Sequence, residues 1–268
     1  MMPPWLAAIA LAAAAGDCAP TLPEGIVQGS LVQGRVAPGC QVQVAGRSLR
    51  VAADGAFVFG VGRDAPPRIS VSTGRAADRL HHTAVPVGAR EWRIERVDGV
   101  PPSTVDPPPA IAARIQAEQA QVARARLLDD DRDDWRGPFV RPLAGRTSGV
   151  YGSQRILNGV PKDPHYGLDI AAATGTPFVA PAAGVVTFAD PDLYLTGGTV
   201  LLDHGHGVSS VFIHLSRIDV VVGQRVARGD PLGAVGATGR ASGPHLHSGM
   251  NWFDVRIDPA LLLPEPGR

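Results

Sequence analysis

Apolar and polar residues alternate over several short segments in the first third of the chain. These segments are residues 41–44, 48–51, 69–72 and 92–96, and the short apolar run 56–59 lies among them. Such alternation is typical of strands with one buried face. Turn-forming residues stand between the segments, as in Ala53-Asp54-Gly55. Short strands separated by turns predict a small β-sandwich-like module over residues 17–100.

A helical pattern follows this module. In residues 110–128, Ile111, Ile115 and Val122 lie on one helical face, and Arg114 and Glu118 have a favourable i,i+4 spacing. The prolines that precede it predict a stiff, extended linker, so residues 101–138 are interpreted as linker and helix. The helix connects the module to the rest of the chain, and the sequence is compatible with a latent form in which the helix or the module covers a cleft there.

Residues 139–268 return to short apolar segments with Gly and Pro between them. The segments are 178–180, 185–188, 200–202, 208–213 and 232–235. Without helical periodicity, this pattern predicts an antiparallel β domain with its own core. The fold is therefore expected to be mainly β: a sandwich-like module, a connecting helix and a C-terminal antiparallel domain.

Charge and composition argue against several classes of function. The 25 basic and 25 acidic residues balance, which argues against a global field that draws the chain to nucleic acid or to an anionic membrane. The acidic run 129–134 lacks the alternating ligands and central Gly of a calcium loop, which favours a solvated charged turn.

The N-terminal segment is interpreted as an export signal. The apolar run 6–15 has the length of a signal-peptide core and is too short to span a bilayer. We expect a signal peptide over residues 1–16, export to the periplasm or cell envelope, and no transmembrane helix in the mature chain. The run lacks a preceding Lys or Arg, and the alternative is a buried or disordered N-terminus. In an exported chain Cys18 and Cys40 can form a disulfide; two reduced thiols are the alternative.

Histidines mark the candidate chemistry, because six of the eight lie between residues 165 and 247. His165 and Asp169 are suitable zinc ligands, although such a pair is a weak signal alone. His245 and His247 are two residues apart, so a strand would turn both imidazoles to one side. His214 ends an apolar strand. The adjacent His81 and His82 would point to opposite faces of a strand and are interpreted as solvated.

These segments together resemble the lysostaphin-type zinc metallopeptidases, the peptidoglycan endopeptidase family, over about residues 145–262. Further support comes from Thr176-Pro177-Phe178-Val179-Ala180-Pro181 and Val226-Ala227-Arg228-Gly229-Asp230. The resemblance implies that one Zn²⁺ per chain is bound by His165, Asp169 and His247, and that His214 and His245 are the catalytic histidines. Three protein ligands leave a fourth position for water, as in catalytic zinc sites.

The resemblance also implies a function, a secreted endopeptidase that hydrolyses peptide bonds in peptidoglycan crosslinks. Asn158, Arg155 and Tyr166 are expected to line its cleft, and His204 to be structural or at the cleft wall. Ser248 stands where relatives often carry a bulkier residue, so it is expected to widen the groove or loosen the support behind His247.

Two other functions belong to different classes. The first is a latent or regulatory protein of the same fold that activates a cell-wall amidase. The second is a structural zinc domain that binds glycan, which needs a fourth protein ligand, with His206 as the nearby candidate. Because all five key positions are filled, the sequence favours the enzyme.

Overall fold

A computed structural model describes residues 18–77, 79–99 and 108–264. The predicted signal peptide and most of the proline-rich linker lie outside these residues. Before the helix the strands are β1 (Leu31–Arg35), β2 (Gln41–Val44), β3 (Arg47–Leu49), β4 (Ala56–Gly60), β5 (Arg68–Gly74), β6 (His81–Pro86) and β7 (Ile94–Val97). The helix α1 is Pro109–Ala125.

After the helix the strands are short, except around the centre of the main sheet. They are β8 (Arg146–Gly149), β9 (Gln154–Leu157), β10 (Val160–Pro161), β11 (Leu168–Ala171), β12 (Pro177–Val179), β13 (Gly184–Leu193), β14 (Gly197–Asp203), β15 (Val208–Leu215), β16 (Arg217–Ile218), β17 (Arg225–Val226), β18 (Pro231–Ala234), β19 (His245–Trp252) and β20 (Val255–Ile257). The mainly β fold predicted from the sequence is confirmed.

The N-terminal strands form two sheets. β1 pairs with β4, and a four-stranded sheet has the order β3-β2-β5-β6. Val42 and Val44 of β2 are buried while Gln41 is exposed, as the alternating pattern predicts. All five residues of β4 are buried, so this strand is enclosed on both faces. Strand β7 instead pairs in parallel with β9, which joins it to the C-terminal strands.

The main C-terminal sheet has the order β17-β13-β14-β15-β19-β11-β8, with β20 paired to β19. A second sheet, β12-β18-β16, packs beside it. Buried apolar side chains between them include Phe178, Phe212 and Leu246. This core fixes one face of β15 and β19, and it leaves their other face to carry polar groups.

A second core joins the two ends of the chain. Phe57 and Phe59 of β4 belong to the same buried cluster as Trp135, Trp252 and other C-terminal residues. The N-terminal strands therefore pack against the C-terminal sheet over an apolar surface. A disulfide between Cys18 and Cys40 closes the edge of the N-terminal part, with sulfur atoms 2.00 Å apart.

Helix α1 ends three residues earlier than the predicted 128, and it lies against the sheet through a half-buried stripe that includes Ile111, Ile115 and Val122. The expected pair forms, with Arg114 Nε 2.6 Å from Glu118 Oε1. The other Glu118 oxygen accepts a hydrogen bond from the Tyr194 backbone N–H at 2.8 Å. These contacts fix the helix to the β13–β14 turn.

The acidic run was expected to be a solvated turn, and this is only partly correct. Asp134 accepts two hydrogen bonds from Arg225, at 2.5 and 2.6 Å, and Arg132 pairs with the fully buried Asp203. Buried carboxylates need such partners, so the run is partly held by ion pairs to the sheet.

Across the parts of the chain that are described, no helix has the length and apolar character needed to cross a membrane.

Candidate metal centre

Two neighbouring strands place three of the predicted residues together. In the antiparallel pairing of β11 and β19, Asp169 lies directly opposite His247, and His245 lies two residues before it on the same face. Leu246 points the other way into the core and is fully buried. The alternation of β19 therefore both anchors the strand and presents two imidazoles.

Three donor atoms converge at this point. His165 Nε2 is 3.0 Å from Asp169 Oδ1 and 3.0 Å from His247 Nδ1, and His247 Nδ1 is 2.8 Å from Asp169 Oδ1. Each side chain offers one atom to a common centre, and all three are partly accessible. His165, Asp169 and His247 are thus a group that could hold a metal ion.

Local backbone features orient His165 and His247. His165 Nδ1 is 2.9 Å from the carbonyl oxygen of Val150. Because a carbonyl only accepts, Nδ1 donates its proton and Nε2 presents a lone pair to the cluster. A Cβ on Gly167 would lie 2.5 Å from two atoms of the His247 ring, so glycine is needed for this close approach.

The donor set fits a zinc ion. Ligand bonds of about 2.0–2.1 Å in a tetrahedral site separate the donor atoms by roughly 3.3 Å, close to the observed separations. Two imidazoles and a carboxylate are typical zinc ligands, and the carbonyl of Val150 fixes the tautomer of one of them. A cation at the centre would also satisfy lone pairs that otherwise face each other.

His214 and His245 lie beside this group. Their ring centroids are 4.9 Å apart, and His245 Nε2 is 3.7 Å from Asp169 Oδ1. Nδ1 of His214 donates to the Thr238 carbonyl and Nδ1 of His245 to the Gly243 carbonyl, both at 2.8 Å. In both rings the Nε2 atom is therefore available for proton exchange in the cluster.

The position of His214 depends on an unusual backbone conformation. Its neighbour Ile213 lies opposite His247, so regular alternation would turn His214 toward the core. His214 has a φ of 65°, a left-handed conformation that is uncommon for residues other than glycine. This break in the strand brings the ring to the metal side, and such strain is concentrated at functional sites.

Burial and charge set the protonation of the cluster. Burial, with a smaller effect of the charge of His245, lowers the pKa of His214 to about 4. Burial raises the pKa of Asp169, but contact with His165 and His247, and the positive charge of these rings when they are protonated, outweigh this and hold the pKa below its usual range. At neutral pH His214 is therefore a neutral base and Asp169 a carboxylate.

The remaining predicted residues are in different places. Tyr166 lines a cavity together with His247, whereas Arg155 and Asn158 are exposed on the β9–β10 hairpin. His204 is fully buried between the Ala183 carbonyl and the Ser210 hydroxyl, 2.7 and 2.8 Å away.

The remaining sequence expectations concern His206, Ser248 and the adjacent pair His81 and His82. His206 packs on Trp135 and is not part of the metal group. Ser248 is buried opposite Phe212, on the face of β19 away from His247, so it does not line the groove; the alternative, looser support behind His247, stays a prediction. His81 and His82 are both exposed, and His82 Nδ1 lies 2.7 Å from the Ser72 hydroxyl.

Sequence reasoning missed the residues that approach the centre from elsewhere. The cavity beside His247 is also lined by Glu118 and Arg126, from and just after helix α1, and by Arg256 of β20. Their positions depend on how the helix docks, and neither spacing nor residue type indicates that docking. From the sequence alone, an arginine at the end of a helix is expected to be a solvated surface residue.

Comparisons with known proteins agree with this architecture. Residues 163–259 match peptidase family M23. The chain is similar to a Pseudomonas aeruginosa protein assigned to peptidase M23 and known from a crystal structure. The two share 32% identity with a TM-score of 0.67, over 88% of this chain and 94% of the other.

Curated relatives are similar over shorter regions. The chain is 32% identical over 166 residues to the cell division protein DipM of Caulobacter vibrioides, covering 60% of this chain and 26% of DipM. It is 43% identical over 84 residues to the peptidoglycan DD-endopeptidase ShyA of Vibrio cholerae, covering 31% of this chain and 19% of ShyA. The chain thus spans less than a third of the length of these relatives.

Proposed function

Because the chain belongs to peptidase family M23, we propose that it is a zinc-dependent endopeptidase that hydrolyses peptide bonds in peptidoglycan crosslinks. The observation that carries the proposal is the convergence of three metal-binding atoms within 3.0 Å of one another, beside two imidazoles with an available Nε2. The relative ShyA, named as a peptidoglycan DD-endopeptidase, supports the substrate class.

His165, Asp169 and His247 would hold one zinc ion. Zinc in a site with three protein ligands polarises a carbonyl and lowers the pKa of water toward neutrality. Asp169 contributes the negative charge of the site, and its carboxylate is already ionised because its pKa lies below the usual range. Asp169 is thus in the protonation state that metal binding requires, and His165 and His247 would bind the ion as neutral rings.

His214 and His245 would move the protons of the reaction. Each ring is fixed through Nδ1 to a backbone carbonyl, so Nε2 can accept a proton from the attacking water and return it to the leaving amine. The lowered pKa of His214 keeps it neutral near pH 7 and able to accept a proton. A protonated imidazole also stabilises the oxyanion of a tetrahedral intermediate.

The remaining features complete the proposal. Tyr166 would contact the substrate peptide from the cavity wall, and Arg155 and Asn158 from the β9–β10 hairpin. The peptidase domain would comprise residues 139–268, joined through the helix and linker to the β module. The disulfide between Cys18 and Cys40 supports export to the periplasm or cell envelope, with residues 1–16 as the signal peptide.

Paired substitutions test the roles in this proposal. We expect His165→Ala to lower both zinc content and hydrolysis of purified crosslinked muropeptide dimers. His214→Ala should retain zinc yet lower kcat by about 10²–10³-fold, because general acid–base and oxyanion contributions have this size. Zinc is measured by plasma mass spectrometry and dimers by liquid chromatography. Unchanged kcat in His214→Ala would exclude the proposed proton transfer.

A further inference from the structure

A cavity of about 200 Å³ is lined on one side by His247 and otherwise by residues that do not belong to the ligand group. Helix α1 forms one wall, strands β14 and β15 form another, and Tyr166 and Arg256 close a third. A peptide at the metal centre would therefore extend into this space. The cavity contains two guanidinium groups that the mechanism above does not use.

The two arginines come from distant parts of the chain. Arg126 directly follows helix α1, while Arg256 lies on β20 and faces Asn251 across the β19–β20 pair. Arg256 Nη1 donates to Asn251 Oδ1 at 3.4 Å, and its guanidinium lies 5.8 Å from the centre of the Tyr166 ring. Both side chains are half-buried.

Their hydrogen-bonding capacity is not filled. Arg126 Nε is buried without an acceptor, and no carboxylate in the described part of the chain hydrogen-bonds to either arginine. Buried cations are ordinarily paired, because removing them from water is costly. This wall of the cavity thus has an excess of N–H donors and lacks a matching acceptor.

Two acidic side chains could neutralise the arginines, but neither is hydrogen-bonded to them. Glu118 also lines the cavity, but it accepts from Arg114 and from the Tyr194 backbone, and eight residues of helix separate it from Arg126 by about 12 Å. The charge of Asp163 acts on Arg256 only as an opposing influence, since burial still lowers the pKa of that arginine. The two guanidinium groups are thus left without a carboxylate hydrogen-bonded to them in the described part of the chain.

Electrostatics agree with this description. Burial, and after it the nearby charge of Arg256, lowers the pKa of Arg126 to about 9. Arg126 therefore remains protonated at neutral pH, so two like charges face the same space. An anionic group between them would relieve both the repulsion and the unfilled donors.

We propose that Arg126 and Arg256 bind a carboxylate of the substrate peptide in the cavity beside His247. The planar guanidinium fork matches a carboxylate in a two-point interaction, which a lysine does not reproduce. The inference rests on the proposed function for the identity of the ligand as a peptidoglycan peptide. The carboxylate comes either from the C-terminus of that peptide or from a side chain within it.

The variants are Arg126→Met and Arg256→Met, which keep an apolar stem and remove the fork, and Arg126→Lys, which keeps the charge. Arg124→Met is the matched control, because Arg124 is an exposed arginine in the last turn of the same helix and is not among the cavity-lining residues. Circular dichroism and zinc content verify that each variant is folded and loaded.

Cleavage is compared on crosslinked peptides that are fully acidic, amidated at the C-terminus, amidated at the side chain, or amidated at both. We expect each Met variant to lower kcat/KM for the acidic peptide by about 10-fold, as for loss of a charged hydrogen bond. The doubly amidated peptide should be cleaved equally by all proteins. One of the two singly amidated peptides should be cleaved equally by the wild type and the Met variants. The position of its amide identifies which carboxylate the arginines bind.

A second arm separates this inference from the proposed function. Binding of the acidic peptide to zinc-free protein is measured by calorimetry, and we expect Arg126→Met to weaken it by about 10-fold while Arg124→Met does not. If the wild-type protein cleaves nothing, this binding result alone decides the inference. The inference would be overturned if the Met variants and the wild type had the same ratio of kcat/KM for the acidic and the doubly amidated peptide. It would also be overturned if Arg126→Met and Arg124→Met bound the acidic peptide equally.

Discussion

His204 and His214 are both buried imidazoles, yet they differ in how many ring nitrogens have partners. His204 uses both, with the Ala183 carbonyl and the Ser210 hydroxyl. His214 uses only Nδ1, and its Nε2 remains available beside the candidate metal-binding group. The first arrangement fixes a neutral ring in the core, and the second leaves a base ready to exchange protons.

The buried His204 should make stability depend on pH. Burial lowers its pKa from 6.5 to about 4. Above pH 6.5 the ring is neutral in both states, and its contribution is fully present. As the pH falls below this value the unfolded chain binds the proton first, so the free energy of unfolding decreases by roughly 3 kcal/mol before levelling near the folded pKa.

Urea unfolding of the wild type and of His204→Gln, from neutral pH down to about pH 4.5, measures this effect. Glutamine stays neutral, so the stability difference between the two proteins should shrink as the solution becomes acidic. A difference that is constant with pH would contradict the account of His204.

At this scale residue spacing constrained one pair of candidate histidines, and the roles expected of His165 and His214 came from the resemblance to a known family. His245 and His247 had to share a face in any strand. Arg126 and Arg256 were not predictable in the same way, since 130 positions separate them and only tertiary packing brings them to one cavity. Nor does any residue-type rule predict the left-handed backbone of His214.

Helix α1 shows what an amphipathic pattern can and cannot predict. The stripe containing Ile111, Ile115 and Val122 predicted the helix and its inner face, and that face is half-buried as expected. The surface on which it docks is determined by the Tyr194 backbone N–H and the Asp192 carbonyl. Backbone partners leave no signature in the amino-acid sequence, so the sequence did not predict the cavity wall.

Glu118→Gln should loosen this helix. The substitution removes the charge that pairs with Arg114 at 2.6 Å and weakens the bond to Tyr194. Losing about 1 kcal/mol of docking energy should speed amide exchange in α1 by roughly 5-fold. Hydrogen exchange read by mass spectrometry measures this, with β19 as an internal reference.

Gln121→Ala is the control, because Gln121 is an exposed residue of the same helix. Equal exchange of α1 in both variants would show that Glu118 does not anchor the helix.

The whole molecule is held together by an apolar contact between its two ends. Gly60 of β4 lies so close to the C-terminal sheet that a Cβ there would be 2.8 Å from Trp252 Cβ and 3.1 Å from Ile257 Cγ2. The sequence predicted each β region but not this contact, because alternation identifies buried faces without indicating which faces meet. The shared core predicts that both ends unfold together.

Gly60→Ala tests the contact. The added methyl group meets rigid atoms, so we expect the free energy of unfolding to fall by roughly 1–3 kcal/mol in a single transition. Gly62→Ala is the matched control, since its Cβ would meet its nearest neighbour at 3.6 Å. Denaturant unfolding compares the two. Equal stability of both variants would mean that the ends of the chain are not tightly packed.

The central claim, zinc-dependent cleavage of peptidoglycan crosslinks, is tested most directly on purified crosslinked peptidoglycan. The protein is incubated with this substrate as purified, with a zinc chelator, and with zinc restored, and the fragments are identified by mass spectrometry. The account predicts that crosslinked peptides disappear, that the chelator stops this, and that zinc restores it. Intact crosslinks in the presence of zinc-loaded, folded protein would contradict it.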